Sequence, residues 1–533
     1  MIDDVRSYSG FDALWQRFLP ETPFGRAAKE RAVPITEEPA LEAAWDRTDA
    51  VLGLLEELDA DRVRLDRIAH HLRRLPRFPE EPRDTFDEVE LFQLKKFLFN
   101  HGSLLSLLPD SLKEFFCLRE IPGGLGELLG TGRQGDESFH VADAYDPELA
   151  VVRQALRDNE AAARALRDRS DHALRERWGF AFEGRAFLLV PRDRLGDPSS
   201  AAALLDLEPW DAAQLCVRPR TGAEALRLAE EKTALLSRER GLEARVLSAI
   251  SAPLREALPA FLEQARAVEA FDLALAGARL AREARLTRPV LVEGEIRIER
   301  GRHLPTETLC ESLGTPYTPL DATFGAGPTV LFGSNMGGKT VVLKTLAFLQ
   351  LAAQSGLFVP AALFATRVFR NFHYVGEGRS REEGRGLSGF GFEIRQFNEA
   401  HADFGGATLA LFDEFARTTS SGEAEALLSA ILEDLAARRG AVALFSTHFR
   451  GVRRLPGVRY LRMGGLDRTR LDLAAPEGEE LSDRIRHIDR QMRFCLEPDA
   501  PRERRSDAVT VARLLGLPPA LARRAEEFIH EED

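Results

Sequence analysis

The sequence predicts an α/β domain built on a parallel sheet, joined to a mostly α-helical N-terminal region and followed by a helical C-terminal tail. Three observations carry that prediction. Val330 to Phe332 are apolar and β-prone, Gly333 to Thr340 fit G-x-x-x-x-G-K-[ST], and Val341 to Ala353 follow with helical spacing. About 75 residues later the apolar strand Leu409 to Phe412 runs directly into Asp413 and Glu414. A third apolar strand, Ala441 to Phe445, ends in Ser446-Thr447-His448. In a parallel sheet all three C-terminal ends face one crevice.

Bulk properties bound the rest. A chain of 533 residues divides into about three or four domains. A net charge of −13 argues against a surface that coats nucleic acid indiscriminately. Cys117, Cys216, Cys310 and Cys495 are far apart and show no metal-ligand spacing, which suits a reducing cytoplasmic setting. Neither a signal-like N-terminus nor a membrane-length apolar run is present, so no membrane partner is expected.

In chain order, residues 1–125 read as a helical region, and Arg67 to Arg77 as a solvated basic helix face. Residues 126–290 read as a helical core or lever with a short β insertion at about 180–220. Within it Phe180 to Val190 looks like a hairpin turning at Glu183-Gly184, and Asp197 to Ser200 like a loop. Thr221-Gly-Ala-Glu224 is a capping box that opens a helix carrying Leu228, Leu235 and Leu242. A second long helix is expected to start near Pro253, with Leu254, Leu258, Phe261, Ala265, Val268 and Leu275 on one stripe. Residues 291–480 hold the α/β domain, and 481–533 the helical tail.

The glycine-rich turn after the first strand has a clear chemical use. Glycines let the backbone curl so that its N–H groups point at phosphate oxygens. Gly333, Ser334, Asn335, Met336, Gly337 and Gly338 would form that cradle, Lys339 would reach the β/γ-phosphates, and the Thr340 hydroxyl would hold Mg²⁺. The chain has only seven lysines, so a lysine at the one position where phosphate chemistry prefers it is informative. Asp413 would hold the same Mg²⁺ and Glu414 would polarise the attacking water. His448 is placed as a γ-phosphate contact. The segment Gly386 to Glu393 puts Ser388 and Gly389 on a glycine-rich loop at a helix start. It lies too far along the chain to fold back easily on its own phosphate loop, so it is expected to complete the site of a second subunit.

Together these motifs resemble the MutS family of ATPases within the ABC superfamily. Gly333 to Thr340 is similar to the family's G-P-N-M-G-G-K-S, and Gly356 to Ala361 to its G-x-Y/F-V-P-A. Ser388 to Glu393 resembles S-T-F-M-x-E, Asp413 to Ser420 resembles D-E-x-G-R-G-T-S, and Phe445 to His448 resembles F-A-T-H. Arg302-His303 resembles the opening R-H-P, and the segment from Ser506 to Ala525 the dimerising tail. The resemblance implies an ABC-type P-loop fold for 291–480, ATP and Mg²⁺ as cofactors, Tyr317 as the aromatic that stacks on adenine, and a homodimer. Departures accompany it. No mismatch-reading N-terminal domain is visible, 180–220 is short for the family's DNA clamp, and no nuclease domain follows the tail. Ala416 and Thr418 stand where the family has glycines, which should stiffen subunit-to-subunit signalling.

Two functions fit this reading. The first is a dimeric ATPase whose levers close on branched or duplex DNA without reading mismatches, with Arg450, Arg453, Arg454, Arg459 and Arg462 as possible phosphate contacts. The second is an ATP-driven remodelling factor for a client enzyme, such as a reactivase of a cobalamin-dependent aminomutase.

Overall fold

The computed structural model describes every residue except 1, 59–60, 133–134, 136–137, 197, 334–336, 377–388, 439, 468–480, 500–507 and 532–533. Ser334, Asn335, Met336, Ser388, Asp197 and Ser506 therefore lie outside the described residues. The chain forms two compact units, one of residues 1–69 with 268–533 and one of residues 70–267. The units part near 69 and 267. Among the described residues no helix is long and apolar enough to cross a membrane.

The unit of residues 70–267 is mainly helical, with a small sheet of β1 (Leu188–Pro191), β2 (Leu205–Pro209) and β3 (Gln214–Pro219) in the order β1-β3-β2. Its core gathers Leu174, Trp178, Phe182, Val190, Leu205 and Val217. The expected turn at Glu183-Gly184 exists, with both residues at positive φ. The hairpin does not. Leu188 to Pro191 pairs antiparallel with Gln214 to Val217 instead of with the residues before the turn. Pro198–Ala201, expected as loop, is a short helix.

A larger correction concerns the lever. Ala223–Ala284 is one helix of 62 residues, with Pro253 and Pro259 inside it, in place of two helices divided near Pro253. A proline interrupts helical hydrogen bonding and usually ends or kinks a helix. Here Ile250, Leu254, Leu258 and Phe261 are all buried to 3% exposure or less, and burying such side chains contributes roughly 1.5–3 kcal/mol each. Tertiary packing therefore outweighs the local break.

The other unit is built on a six-stranded sheet. Its strands are β7 (Gly327–Phe332), β9 (Asn371–Val375), β10 (Thr408–Asp413), β11 (Ala441–Thr447), β12 (Arg459–Leu466) and β13 (Met492–Pro498), in the order β13-β12-β7-β11-β10-β9. All neighbours are parallel except β12 and β13. The three strands read from the sequence are adjacent, with β11 between β7 and β10. A second sheet of β4 (Val290–Leu291), β5 (Ile296–Gly301), β6 (Leu320–Phe324) and β8 (Leu363–Thr366) has the order β4-β8-β5-β6.

Both faces of the large sheet are covered, as a parallel sheet requires. The helix Lys339–Gln354 lies in a core with Leu331, Leu411, Leu444 and Phe372, while Val330, Phe412, Phe445 and Leu432 belong to the core of the other face. The tail expected to be wholly helical contributes β13, which pairs with β12 between the helices Leu481–Gln491 and Ala508–Leu514.

The N-terminal segment packs on this unit. Asp272 of the long helix is fully buried, and it accepts hydrogen bonds from the Glu21 N–H (2.9 Å), the Thr22 N–H (2.8 Å) and the Thr22 hydroxyl (2.7 Å). Burial raises its pKa against those three donors. A Cβ on Gly25 would come within 2.3 Å of Asp272, so the close approach requires glycine there.

Candidate functional site

The sheet register builds the site. Asp413 at the end of β10 lies opposite Ser446 on β11, and Thr447 lies opposite Phe332 at the end of β7. Gly338, at φ +89, then caps the helix that starts at Lys339. A Cβ at Gly338 would be strained and would meet the Phe494 ring at 3.2 Å, so only glycine suits the position.

Four of the sequence-predicted residues are brought together. Lys339 is buried, donates from Nζ to the Gly333 carbonyl at 2.7 Å, and lies 3.6 Å from Oε1 of Glu414. Burial lowers its pKa, while Glu414 and Asp413 pull it back up and the charge of Arg450 adds to the lowering. Thr340 donates its hydroxyl to Oδ1 of Asp413 at 3.2 Å. Glu414 also lies 3.5 Å from Arg417 through Oε2. Its backbone, at φ 53, is left-handed, and its N–H donates to Ser446 at Oγ (3.0 Å) and O (3.1 Å). Ala416 is left-handed too, at φ 63, and is fully buried, its N–H donating to Glu393 at 2.8 Å. Non-glycine residues in that region cost of order 1 kcal/mol or more, so the loop after β10 is held under strain by these hydrogen bonds.

His448 follows β11 at the same crevice, but its side chain is exposed, with its ring 4.4 Å from that of Phe449. Gly389 begins the helix Gly389–Ala402. Tyr317 accepts a hydrogen bond from the His303 N–H at 2.6 Å, and burial pushes its phenol up to about 12. Its ring lines a small cleft with Pro316, Thr318, Gly338, Val342 and Phe494. That cleft adjoins the Gly338–Lys339 turn and suits a flat apolar group attached to an anion.

Three participants escape a reading of motifs alone. Ser446 donates to Oδ1 of Asp413 at 2.6 Å. Phe494 supplies an aromatic wall of the cleft from β13. Tyr8, from the N-terminal helix Ile2–Ser9, donates to Oδ2 of Asp413 at 3.2 Å and stacks on Tyr374 with centroids 3.9 Å apart. Burial, and then the charge of Asp413, hold the Tyr8 phenol well above its ordinary value, so it stays protonated and donating. Ser446 had a local signal, since it ends a strand beside an acidic strand end. The other two had none.

Within the arginine stretch, three side chains already have acidic partners. Arg454 pairs with Asp499, Arg459 with Glu295, and Arg462 with Glu497 at 3.2 Å. Cations already matched by acids offer little to a phosphate backbone.

The chemistry of the donor set fits one hard cation. Asp413 and the Thr340 hydroxyl, which donates to Oδ1, offer neighbouring oxygen ligands, and Mg²⁺ is commonly held by one or two carboxylates while phosphates and waters complete the shell. Among the described residues no group of three His, Cys, Asp or Glu side chains could hold a metal alone. Lys339 stands beside these groups with a charge that can receive an anion.

Comparison with known proteins agrees with this geometry. Residues 329–532 match the model of MutS domain V. An endonuclease MutS2 of Thermomicrobium roseum is 28% identical over 481 residues, covering 85% of this chain and 55% of that protein. An endonuclease MutS2 of Thermus thermophilus is 31% identical over 448 residues, 78% of this chain and 52% of that protein. A DNA mismatch repair protein MutS of Granulibacter bethesdensis is 28% identical over 445 residues, 80% and 45% of the two chains. The chain spans about half the length of these curated relatives. The domain V match and the extent of the similarity along the chain make this protein a member of the MutS-like family.

Proposed function

We propose that the chain is a P-loop ATPase of MutS type that works as a homodimer and couples ATP binding to movement of its long helix on DNA, without reading mismatches. The observation that carries this is the convergence of Thr340, Asp413, Lys339 and Glu414 at adjacent ends of parallel strands. Lys339 and the turn N–H groups bind the β/γ-phosphates, the cleft of Tyr317 and Phe494 takes the base, and His448 contacts the γ-phosphate. Mg²⁺, held by Thr340 and Asp413, would neutralise charge on the phosphates. Glu414 takes the proton of the attacking water at its carboxylate.

The DNA reading draws its support from relatives named as a mismatch repair protein and endonucleases. The client-enzyme alternative receives none from them. With Arg454, Arg459 and Arg462 neutralised by acids, phosphate contacts must come from fewer free cations, and the net charge of −13 opposes them. Binding to labelled homoduplex, mismatched and branched DNA should therefore be equal for homoduplex and mismatch, and should fall steeply between about 50 and 200 mM salt. Tight, mismatch-selective binding at the higher salt would refute this reading.

Dimerisation supplies Ser388 to the partner's phosphate site. Mixing Lys339→Ala with Ser388→Arg protein should restore ATPase activity, since each heterodimer keeps one site free of both lesions. A fully active monomer at low concentration excludes a shared site.

A further inference from the structure

We propose that Tyr8 is a positioning residue for Asp413, holding the carboxylate in the orientation that receives the cation; this rests on the nucleotide-site reading above. Three observations bear on it. First, Asp413 is held from two sides. Oδ1 takes the hydroxyls of Ser446 (2.6 Å) and Thr340 (3.2 Å), both from the ends of the sheet and its following helix, whereas Oδ2 takes the hydroxyl of Tyr8 (3.2 Å), from a helix 405 residues away in sequence. With donors on both oxygens the carboxylate cannot rotate without breaking one of them.

Second, the phenol is itself fixed. Its ring stacks on Tyr374 of β9, with centroids 3.9 Å apart and planes 21° from parallel, and Lys344 sits 5.4 Å above it. The same hydroxyl lies 3.4 Å from the Thr340 backbone carbonyl, so its one proton faces that carbonyl as well as Asp413.

Third, the segment that carries Tyr8 is fastened beyond the helix Ile2–Ser9. The Ser9 carbonyl accepts from Nε2 of His303 at 2.7 Å, and Asp272 grips Glu21 and Thr22. Arg279 pairs with Glu21 at 2.8 Å and Arg17 with Glu283 at 3.0 Å, so the segment is tied to the C-terminal end of the long helix at one end and to the site carboxylate at the other. A partner that orients a ligating carboxylate acts through that ligand, and loss of such a partner weakens metal sites by roughly 10–100-fold.

The test is Tyr8→Phe, which keeps the ring and its stack and removes only the donor. Binding of a non-hydrolysable ATP analogue is followed by calorimetry while Mg²⁺ is titrated, alongside thermal unfolding of the free protein. The variant should need about tenfold more Mg²⁺ for half-saturation, with analogue binding in EDTA and the unfolding midpoint little changed. An unchanged or lower Mg²⁺ requirement overturns the assignment, and so does a lowered midpoint without a Mg²⁺ effect, which marks a tyrosine that only packs. Wild-type protein that binds no analogue at any Mg²⁺ concentration overturns the nucleotide-site reading and this assignment with it. Failure of the Tyr8→Phe effect alone leaves that reading standing.

Discussion

Glu414→Gln is expected to bind ATP as the wild type does and to hydrolyse it at least about a hundredfold more slowly, the scale set by loss of a positioned general base. Glutamine keeps the size of the side chain and the left-handed backbone at φ 53, where the N–H is anchored on Ser446. It removes the proton acceptor and the charge that faces Lys339 at 3.6 Å and Arg417 at 3.5 Å. Single-turnover hydrolysis measured beside nucleotide affinity separates the two effects. A wild-type rate in this variant would mean that another group takes the proton.

Lys339→Ala acts one step earlier. The ammonium is buried, and burial works against its charge while Glu414 at 3.6 Å offsets part of that; an incoming phosphate would add a further anionic partner. Truncating one partner of a buried, hydrogen-bonded charge pair costs about 2–5 kcal/mol, so nucleotide affinity should fall by about thirtyfold or more. The alanine also frees the Gly333 carbonyl, which Nζ now holds at 2.7 Å, and so loosens the turn. Affinity within tenfold of wild type by calorimetry would remove Lys339 from the phosphate site.

The parts of this site that the sequence revealed are those written locally. A strand that ends in a phosphate-type turn, or in Asp413-Glu414, carries its chemistry within a few residues, and the parallel register then aligns the ends without further information. Long-range packing carried the rest. Nothing near Tyr8 announces a partner at Asp413, because that contact exists only after the N-terminal helix has packed on the sheet. Phe494 was hidden for a similar reason, since Met492–Pro498 is a short strand of mixed polarity in a segment with helices on either side.

The division of the long helix at Pro253 failed because a local rule met a buried stripe that continues past it from Ile250 to Phe261. The hairpin failed because a turn fixes a reversal and leaves the pairing partner open. Leu188–Pro191 found Gln214–Pro219, whose Val217 is fully buried. The arginine stretch had a visible density of charge, but its acidic partners Glu295, Glu497 and Asp499 come from elsewhere in the chain.

The antiparallel strand β13 bears on how the C-terminal segment can be probed. Truncation before residue 481, the direct way to ask whether the tail dimerises, would also strip β12 of its neighbour and bare a row of N–H and C=O groups. An exposed edge of that kind recruits strands from other chains, so the shortened protein would self-associate for reasons unrelated to a native two-fold. The same cut removes Phe494 and opens one wall of the cleft. Weaker nucleotide binding in such a fragment would then report a damaged pocket and say nothing of subunit pairing. Polar replacements at Leu521 and Phe528, exposed apolar residues of the helix Pro519–Glu531, leave β13 in place and address pairing alone.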